Sequence, residues 1–375
     1  MASNRVIRVL HIFGRMARGG AEMRTIDVMR NIDRDRFQFN FCTLSGQPGT
    51  LDDEIVEMGG EVYPCPLGID FISKFRQLLR KQRFDVVHSH VHMFSGLIMK
   101  LAASENVSMR ITHFRSMQDG SGNGLRRSVQ RRIMRHWVDK YATDILAVSE
   151  GAMSNAWSKD WQSDKRCRVL YNGIDTSKYS GIAEHDAIIA EFGIPSDSRV
   201  LIHVGRADLP KNHIRLISIF NELLKHEPDA KLLLVGRFES EIGQMIKDKV
   251  AQLGISESVV FAGERADVPQ LLKVSDLLIF PSLWEGLPGA VLESCATGTP
   301  VLASDLPSVV EISSYIPHVH YLSLEKSDAD WAAAAGDLLH GPKSIREEMV
   351  TAFQNSVFEM NYCLDEYNKL YGRLS

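Results

Sequence analysis

Two glutamates eight residues apart, Glu285 and Glu293, lie in a segment whose residue types suit a phosphorylated ligand: Ser275–Asp305, SDLLIFPSLWEGLPGAVLESCATGTPVLASD. The apolar run Asp276–Phe280 predicts a buried strand, and a helix follows over Leu287–Thr297. Pro288 falls near the first helical position, where its missing N–H costs nothing, and Gly298 with Pro300 stops the helix. The start of such a helix offers free N–H groups and a positive dipole end to a phosphate. Glu285 just ahead of it and Glu293 on its second turn would flank a bound nucleoside diphosphate. An ionised carboxylate accepts from two hydroxyls at once, so one suits sugar hydroxyls and the other a ribose diol.

A second constellation is HVGRADLPKNHIRLI, where the strand Val200–Val204 ends at Gly205 and the loop after it carries Arg206 and Lys211. Two cations at a strand's carboxyl end can clamp a diphosphate and neutralise the charge that grows on it as a bond to it breaks. A third is GRMARGGAE, a glycine-rich turn after Ile7–Phe13, in which Gly19 and Gly20 let backbone approach a ligand. It fails as a dinucleotide fingerprint because G-x-G-x-x-G is absent and the next strand ends Cys42-Thr43-Leu44, without an acid. Histidines end two further strands, His88 and His90 in DVVHSH and His113 in MRITHFR, and all three are expected to project from the strand ends toward ligand. Ser149 in VSE and Asn172-Gly173 in NGID read equally as helix cap and turn or as ligand contacts.

Positioning these groups requires alternating strands and helices from end to end. The first half offers strands at Ile7–Phe13, Phe37–Leu44, Glu61–Cys65, Asp85–His90, Met109–His113, Asp144–Ser149 and Arg168–Tyr171, with helices such as Ala21–Asn31, Phe71–Lys81 and Leu125–Tyr141. The second restarts with strands at Val200–Val204, Lys231–Val235, Val259–Ala262, Asp276–Phe280, Thr299–Ala303 and His320–Leu322. Its helices are expected at Ile214–His226, Glu239–Leu253, Leu287–Thr297 and Ala329–Leu339. This α/β alternation predicts two Rossmann-like domains with parallel sheets facing across a cleft, residues 1–180 and 181–352. The polar stretch Thr176–Pro195 is the expected linker. A last helical stretch, Phe353–Leu370 within residues 353–375, is expected to return to the N-terminal domain.

At 375 residues the chain exceeds one comfortable core, and its 44% hydrophobic and 24% charged content is ordinary for a globular protein. No run approaches the ~20 apolar residues of a membrane span, the start lacks a signal peptide, and five dispersed cysteines fit neither a disulfide framework nor a zinc site. A cytoplasmic location is therefore expected. The net charge of −4 divides unevenly: residues 1–180 carry 27 Lys and Arg against 19 Asp and Glu, the remainder 16 against 28. A basic N-terminal half suits an acidic partner. Two helices there could pack an apolar stripe on the first sheet and offer cations to anionic lipid or a polyprenyl diphosphate. These are Ile69–Arg83 (Phe71, Phe75, Leu78, Leu79) and Leu125–Val138 (Leu125, Val129, Ile133, Trp137, with five arginines).

Taken together, Pro281, Ser282, Glu285, Gly286, Pro288, Glu293, Gly298 and Pro300 resemble the E-x7-E signature of the retaining family-4 glycosyltransferases of GT-B fold, and Arg206, Lys211, Asn212 and the GGAE turn match other landmarks of that family. The likeness covers nearly the whole chain and is closest to the capsule and exopolysaccharide branch. It implies transfer of a sugar from a nucleoside-diphosphate sugar, with UDP as the expected nucleotide, to a saccharide or polyprenyl-linked acceptor. By the same likeness Arg206 and Lys211 hold the leaving diphosphate, Glu285 the donor sugar with Gly286 and Leu287 beside it, and Glu293 the ribose. Gly19 and Gly20 approach the donor phosphate, His113 contacts the reacting sugar, and the loop Phe261–Asp267, with Gly263 and Arg265, holds the base. Phe114-Arg115 after His113 departs from the family pattern. No cofactor, metal or nucleic acid is expected; the nearest Asp-x-Asp, Asp328-x-Asp330, opens a late helix. An epimerase or sugar-phosphate synthase on the same fold, or an inactive nucleotide-sugar-binding protein, are the alternatives.

Overall fold

A computed structural model describes residues 5–117, 124–179, 185–342 and 344–374. Two compact units divide the chain, Met1–Gly173 with Met360–Ser375, and Ile174–Glu359. The expected boundary at residue 180 falls outside the described residues.

In the first unit the elements run β1 (Ile7–Phe13), α1 (Gly20–Asn31), β2 (Phe37–Thr43), α2 (Asp52–Glu57), β3 (Val62–Pro64), α3 (Phe71–Gln82), β4 (Val86–Ser89), α4 (Ser95–Ser104), β5 (Met109–Phe114), α5 (Leu125–Tyr141), β6 (Asp144–Ala147), α6 (Glu150–Ala156) and β7 (Cys167–Val169). All seven strands are parallel, in the order β3-β2-β1-β4-β5-β6-β7. Helices cover both faces of such a sheet, so its strands read as unbroken apolar runs; Val9, Leu10 and Ile12 of β1 are all fully buried. The strand order reverses between β1 and β4, which is where open α/β sheets bind ligands, beyond the strands' carboxyl ends.

The second unit runs α7 (His185–Glu191), β8 (Val200–Val204), α8 (His213–Leu223), β9 (Lys231–Val235), α9 (Glu241–Gln252), β10 (Val259–Gly263), α10 (Val268–Val274), β11 (Leu277–Phe280), α11 (Gly289–Thr297), β12 (Val301–Ser304), α12 (Pro307–Ser313), β13 (Val319–Leu322), α13 (Asp328–Leu339) and α14 (Ile345–Gln354). Its six parallel strands are ordered β10-β9-β8-β11-β12-β13, with the reversal between β8 and β11. Helix α15 (Met360–Tyr371) closes the chain on the first unit, where Cys363, Tyr367, Leu370 and Tyr371 join the core around β1 and β2. Asp144, only 2% exposed in its side chain, ties this end down by accepting from Arg373 at 2.6 Å and Arg168 at 2.7 Å.

Four expectations are corrected. The C-terminal stretch Phe353–Leu370 is two helices, α14 and α15, separated at Asn355–Glu359, where Ser356 turns its hydroxyl onto the Phe353 carbonyl. Within Thr176–Pro195 lies a helix, α7, that the polar composition concealed. The helix expected over Leu287–Thr297 starts later, at Gly289, with Pro288 as its N-cap. The stripe of α5 does not pack on the sheet: Val129 is 53% and Ile133 43% exposed. The apolar helix α4 takes the sheet face instead, and α5 rides on α4. The approach is so close that a Cβ on Gly96 would lie 2.1 Å from the Met134 carbonyl oxygen. The side chain of Leu125 lies outside the described residues. Helix α3 does bury Phe71, Phe75 and Leu79. No described helix is long and apolar enough to cross a membrane.

Candidate active site

The loops that follow β8 and β11 are neighbours because their strands pair, Leu277 against Leu201 and Leu278 against Ile202. Three contacts latch the two loops together. The Asn212 amide donates to the Pro281 carbonyl at 3.0 Å, the Leu283 N–H to the Pro210 carbonyl at 2.8 Å, and the Lys211 ammonium to Glu285 Oε1 at 2.7 Å. Asn212 reaches this position in the left-handed region, φ 53°, which Asn tolerates better than most residues. The stem of Lys211 lies over Gly205, whose absent Cβ would sit 3.1 Å from it, and its ammonium lies 4.7 Å from the centre of the Phe280 ring. The pair is part-buried, with side chains 23% and 16% exposed, so its attraction is screened less than that of a surface pair. Beneath it His203 and His213 stack edge to face, and the His203 ring meets the Ile279 carbonyl at 2.8 Å.

The other expected donor residues of this unit distribute around that pair. Arg206 follows the end of β8 with its side chain 64% exposed, 3.5 Å from Asp208. Gly286 and Leu287 are buried ahead of α11, and Glu293 is half-buried on it, in the fifth position. Gly298 ends α11 at φ 76°, where a Cβ would meet the Arg346 carbonyl at 2.5 Å. Gly263 ends β10 at φ 71°, its carbonyl accepting from Gly236 at 2.8 Å. Arg265 is engaged by Glu191 at 2.7 Å and Asp267 at 2.7 Å, so what this loop can offer a base is its backbone. Asp330 completes a capping box with Ser327 rather than facing a ligand.

In the first unit, Gly19 caps α1 at the end of the β1 loop. The Glu22 carboxylate folds back to within 2.4 Å of where a Cβ on Gly19 would be, while Gly20 faces open space. The histidines at these strand ends pack against one another. His88 and His113 are fully buried, and His90 is half-buried between Phe13, at 4.3 Å between ring centres, and His88, at 4.4 Å. The physical reason is mutual satisfaction: His88 Nε2 meets His113 Nδ1 at 3.0 Å, His88 Nδ1 meets the Tyr371 hydroxyl at 2.7 Å, and His90 Nε2 meets His11 Nδ1 at 3.1 Å. Arg115 donates to His90 Nδ1 at 3.1 Å, to Asn172 Oδ1 at 2.6 Å and to Thr25 Oγ1 at 3.3 Å. Ser149 serves as the N-cap of α6, accepting from the Ala152 N–H.

His11, His88 and His90 bring ring nitrogens within 4.8 Å of one another, as a metal site would. The pairing of those nitrogens with each other and with the Arg115 cation makes the cluster a hydrogen-bond network instead. Burial, with Arg115 nearby, pushes His88, His90 and His113 well below the usual histidine range and His11 to about 3. His11, Arg115 and Tyr371 escaped the reading of the sequence; for Arg115 the signal was its departure from the family pattern.

Two parallel Rossmann-like sheets, each with a strand-order reversal, are the architecture of the GT-B class. Anabaena HepE, solved with UDP and glucose, shares that architecture with a TM-score of 0.80 at 17% identity, covering 98% of this chain and 99% of its own. The chain belongs to glycosyltransferase family 4: residues 18–178 match the family description "Glycosyltransferase Family 4" and residues 184–355 "Glycosyl transferases group 1". It is similar to the capsular polysaccharide biosynthesis glycosyltransferase CapH of Staphylococcus aureus, 31% identical across 98% of this chain and 99% of that one. It is also similar to the putative glycosyltransferase EpsF of Bacillus subtilis, 29% identical across 88% of each.

The buried imidazoles set a pH limit. His11 binds its proton in the unfolded chain near pH 6.5 but in the folded chain only near 3. Its contribution is therefore complete above about pH 6.5 and is lost as pH falls toward 3. Unfolding in urea should cost about 2 kcal/mol less at pH 5 than at pH 8 from this group alone, and His11→Asn should remove that part of the pH dependence. An unchanged slope in the variant would show that His11 is not the group responsible.

Proposed function

We propose that the protein is a retaining glycosyltransferase that moves a sugar from a UDP-sugar to a hydroxyl of a saccharide or lipid-linked saccharide, in capsule or exopolysaccharide synthesis. The observation that carries this reading is the Lys211–Glu285 contact at the β8/β11 reversal. It joins a cation fit for a diphosphate to a carboxylate fit for sugar hydroxyls, at the place where this fold binds nucleotides. In the proposed reaction the bond from the anomeric carbon to the diphosphate breaks, with Arg206 and Lys211 neutralising the departing charge. The acceptor hydroxyl bonds to that carbon on the same face, and its proton passes to the departing diphosphate oxygen. Glu285 holds the sugar, Glu293 the ribose, His113 contacts the reacting sugar, and the backbone near Gly263 holds the base. Gly19 and Gly20 approach the donor phosphate. UDP is favoured by the UDP bound in HepE, and the polysaccharide setting by CapH and EpsF.

A panel of UDP- and GDP-sugars with and without a lipid extract tests the proposal. UDP release that depends on acceptor, with the product's anomeric configuration matching the donor's by NMR, is expected. Release without acceptor would indicate hydrolysis or epimerase chemistry, and tight binding without turnover an inactive binding protein. Glu285→Ala should lower transfer at least about 100-fold while UDP affinity changes by less than about threefold. Glu293→Ala should weaken UDP binding by about 10-fold, the loss of a hydrogen-bonded charge. Transfer surviving in Glu285→Ala would refute its assigned role.

A lipid-linked acceptor also requires contact with a membrane surface, and α5 supplies a suitable face. Val129 and Ile133, one turn apart and exposed, lie among Arg126, Arg127 and Arg132 on the same helix. Sedimentation with vesicles containing phosphatidylglycerol should carry the protein down at low salt and release it near 0.5 M salt, and Val129→Glu with Ile133→Glu should abolish the association. Equal binding by the double variant would remove α5 from the account.

A further inference from the structure

Tyr371, on the C-terminal helix, touches a histidine 283 residues earlier in the chain. Its ring is fully buried against Phe37 and Phe39, and the hydroxyl's hydrogen-bond partner among the described residues is His88 Nδ1, at 2.7 Å. On the other side of the same imidazole, His88 Nε2 faces His113 Nδ1 at 3.0 Å. His113 Nε2 is buried and has no hydrogen-bond partner among the described residues. We propose that Tyr371 and His88 are positioning residues that lock His113 in the tautomer with its proton on Nε2, presenting an N–H donor to the transferred sugar. This rests on the reading that His113 contacts that sugar.

The direction of the chain follows from which groups can only give. A buried phenol keeps its proton, and burial raises that of Tyr371 further. Its O–H donates to His88 Nδ1, since the opposite order would leave a buried hydroxyl hydrogen without an acceptor among the described residues. A neutral His88 then has its one proton on Nε2, where it donates to His113 Nδ1, and His113 is left with its proton on Nε2. A second chain beside it has the same sense for an independent reason. The guanidinium of Arg115 has no lone pair to offer, so it donates to His90 Nδ1. His90 Nε2 donates in turn to His11 Nδ1, and the proton of His11 lies on its own Nε2, again without a partner among the described residues. Helix α15 is held at this site by Cys363, Tyr367, Leu370 and Tyr371 in the core, and just beyond it by Arg373 on Asp144.

Nitrogen-15 NMR on the histidine-labelled 375-residue chain reads the tautomer directly, with the His113 signals identified by their loss in His113→Gln. The expected wild-type spectrum has a protonated-type Nε2 and an unprotonated-type Nδ1. In Tyr371→Phe the two shifts should move toward each other as the tautomers mix, and kcat for transfer should fall about tenfold, the worth of one hydrogen bond. KM for the nucleotide sugar should change by less than about twofold, since the tautomer touches the sugar rather than the diphosphate. A proton on Nδ1 in the wild type, or His113 shifts unaltered in Tyr371→Phe, would overturn the proposal. The wild-type spectrum decides even where the variant folds poorly. Full transfer by His113→Ala would instead overturn the sugar-contact reading and leave the tautomer assignment standing.

Discussion

The ion pair between Lys211 and Glu285 depends on strand pairing before it depends on charge. Sheet order places β8 beside β11, and only at this reversal do two successive βα loops diverge to opposite sides and leave room between them. The loops are stitched by backbone and amide contacts at Pro210, Asn212, Pro281 and Leu283, so the ammonium and carboxylate are held in place by groups that need not take part in the reaction. A part-buried pair of this kind is no large source of stability, because each charge has lost water to reach the other. In the proposed function its use is different: a cation and a carboxylate are held side by side, part-buried, before a ligand arrives, and a diphosphate and a sugar would each take the place of one partner.

The first unit holds the opposite kind of polar site. The buried rings of His11, His88, His113 and Tyr371 cluster with the half-buried His90 and Arg115 around β1, β4 and β5, and every imidazole nitrogen of the four histidines except Nε2 of His11 and of His113 has a hydrogen-bond partner among the described residues. Burial keeps the rings neutral, and neutrality is what allows a tautomer to be specified at all, since a doubly protonated imidazolium has none. The cost is sensitivity to acid, which falls on the unfolded chain's ability to take up protons that the folded one refuses.

Much of this was legible in the sequence, for reasons that differ from element to element. Strands β1, β8 and β9 emerged with their observed limits because a two-sided parallel strand is an unbroken apolar run ended by glycine or a polar cluster. Glu285, Lys211 and Arg206 could be named because each lies in a loop after a strand, within a motif that resembles the family's. What remained hidden was non-local. Tyr371 sits in a helix whose own periodicity explains its burial, and nothing near it in the chain announces His88. Helix α5 was misplaced because its apolar stripe was assumed to need the sheet. Helix α4 already covers that face, and Gly96 on the side of α4 turned to α5 lets α5 ride on top. Arg115 showed only as a mismatch, although it fixes His90, Asn172 and Thr25 together.

In the proposed function Lys211 and Glu285 form a preset pair that opens to take the donor, the lysine going to the diphosphate and the glutamate to the sugar. A crystal structure with an intact UDP-sugar bound tests this most directly. The 2.7 Å Lys211–Glu285 contact should be replaced by Lys211 on a phosphate oxygen and Glu285 on sugar hydroxyls. A donor bound elsewhere on the unit, with that contact unchanged, would contradict it.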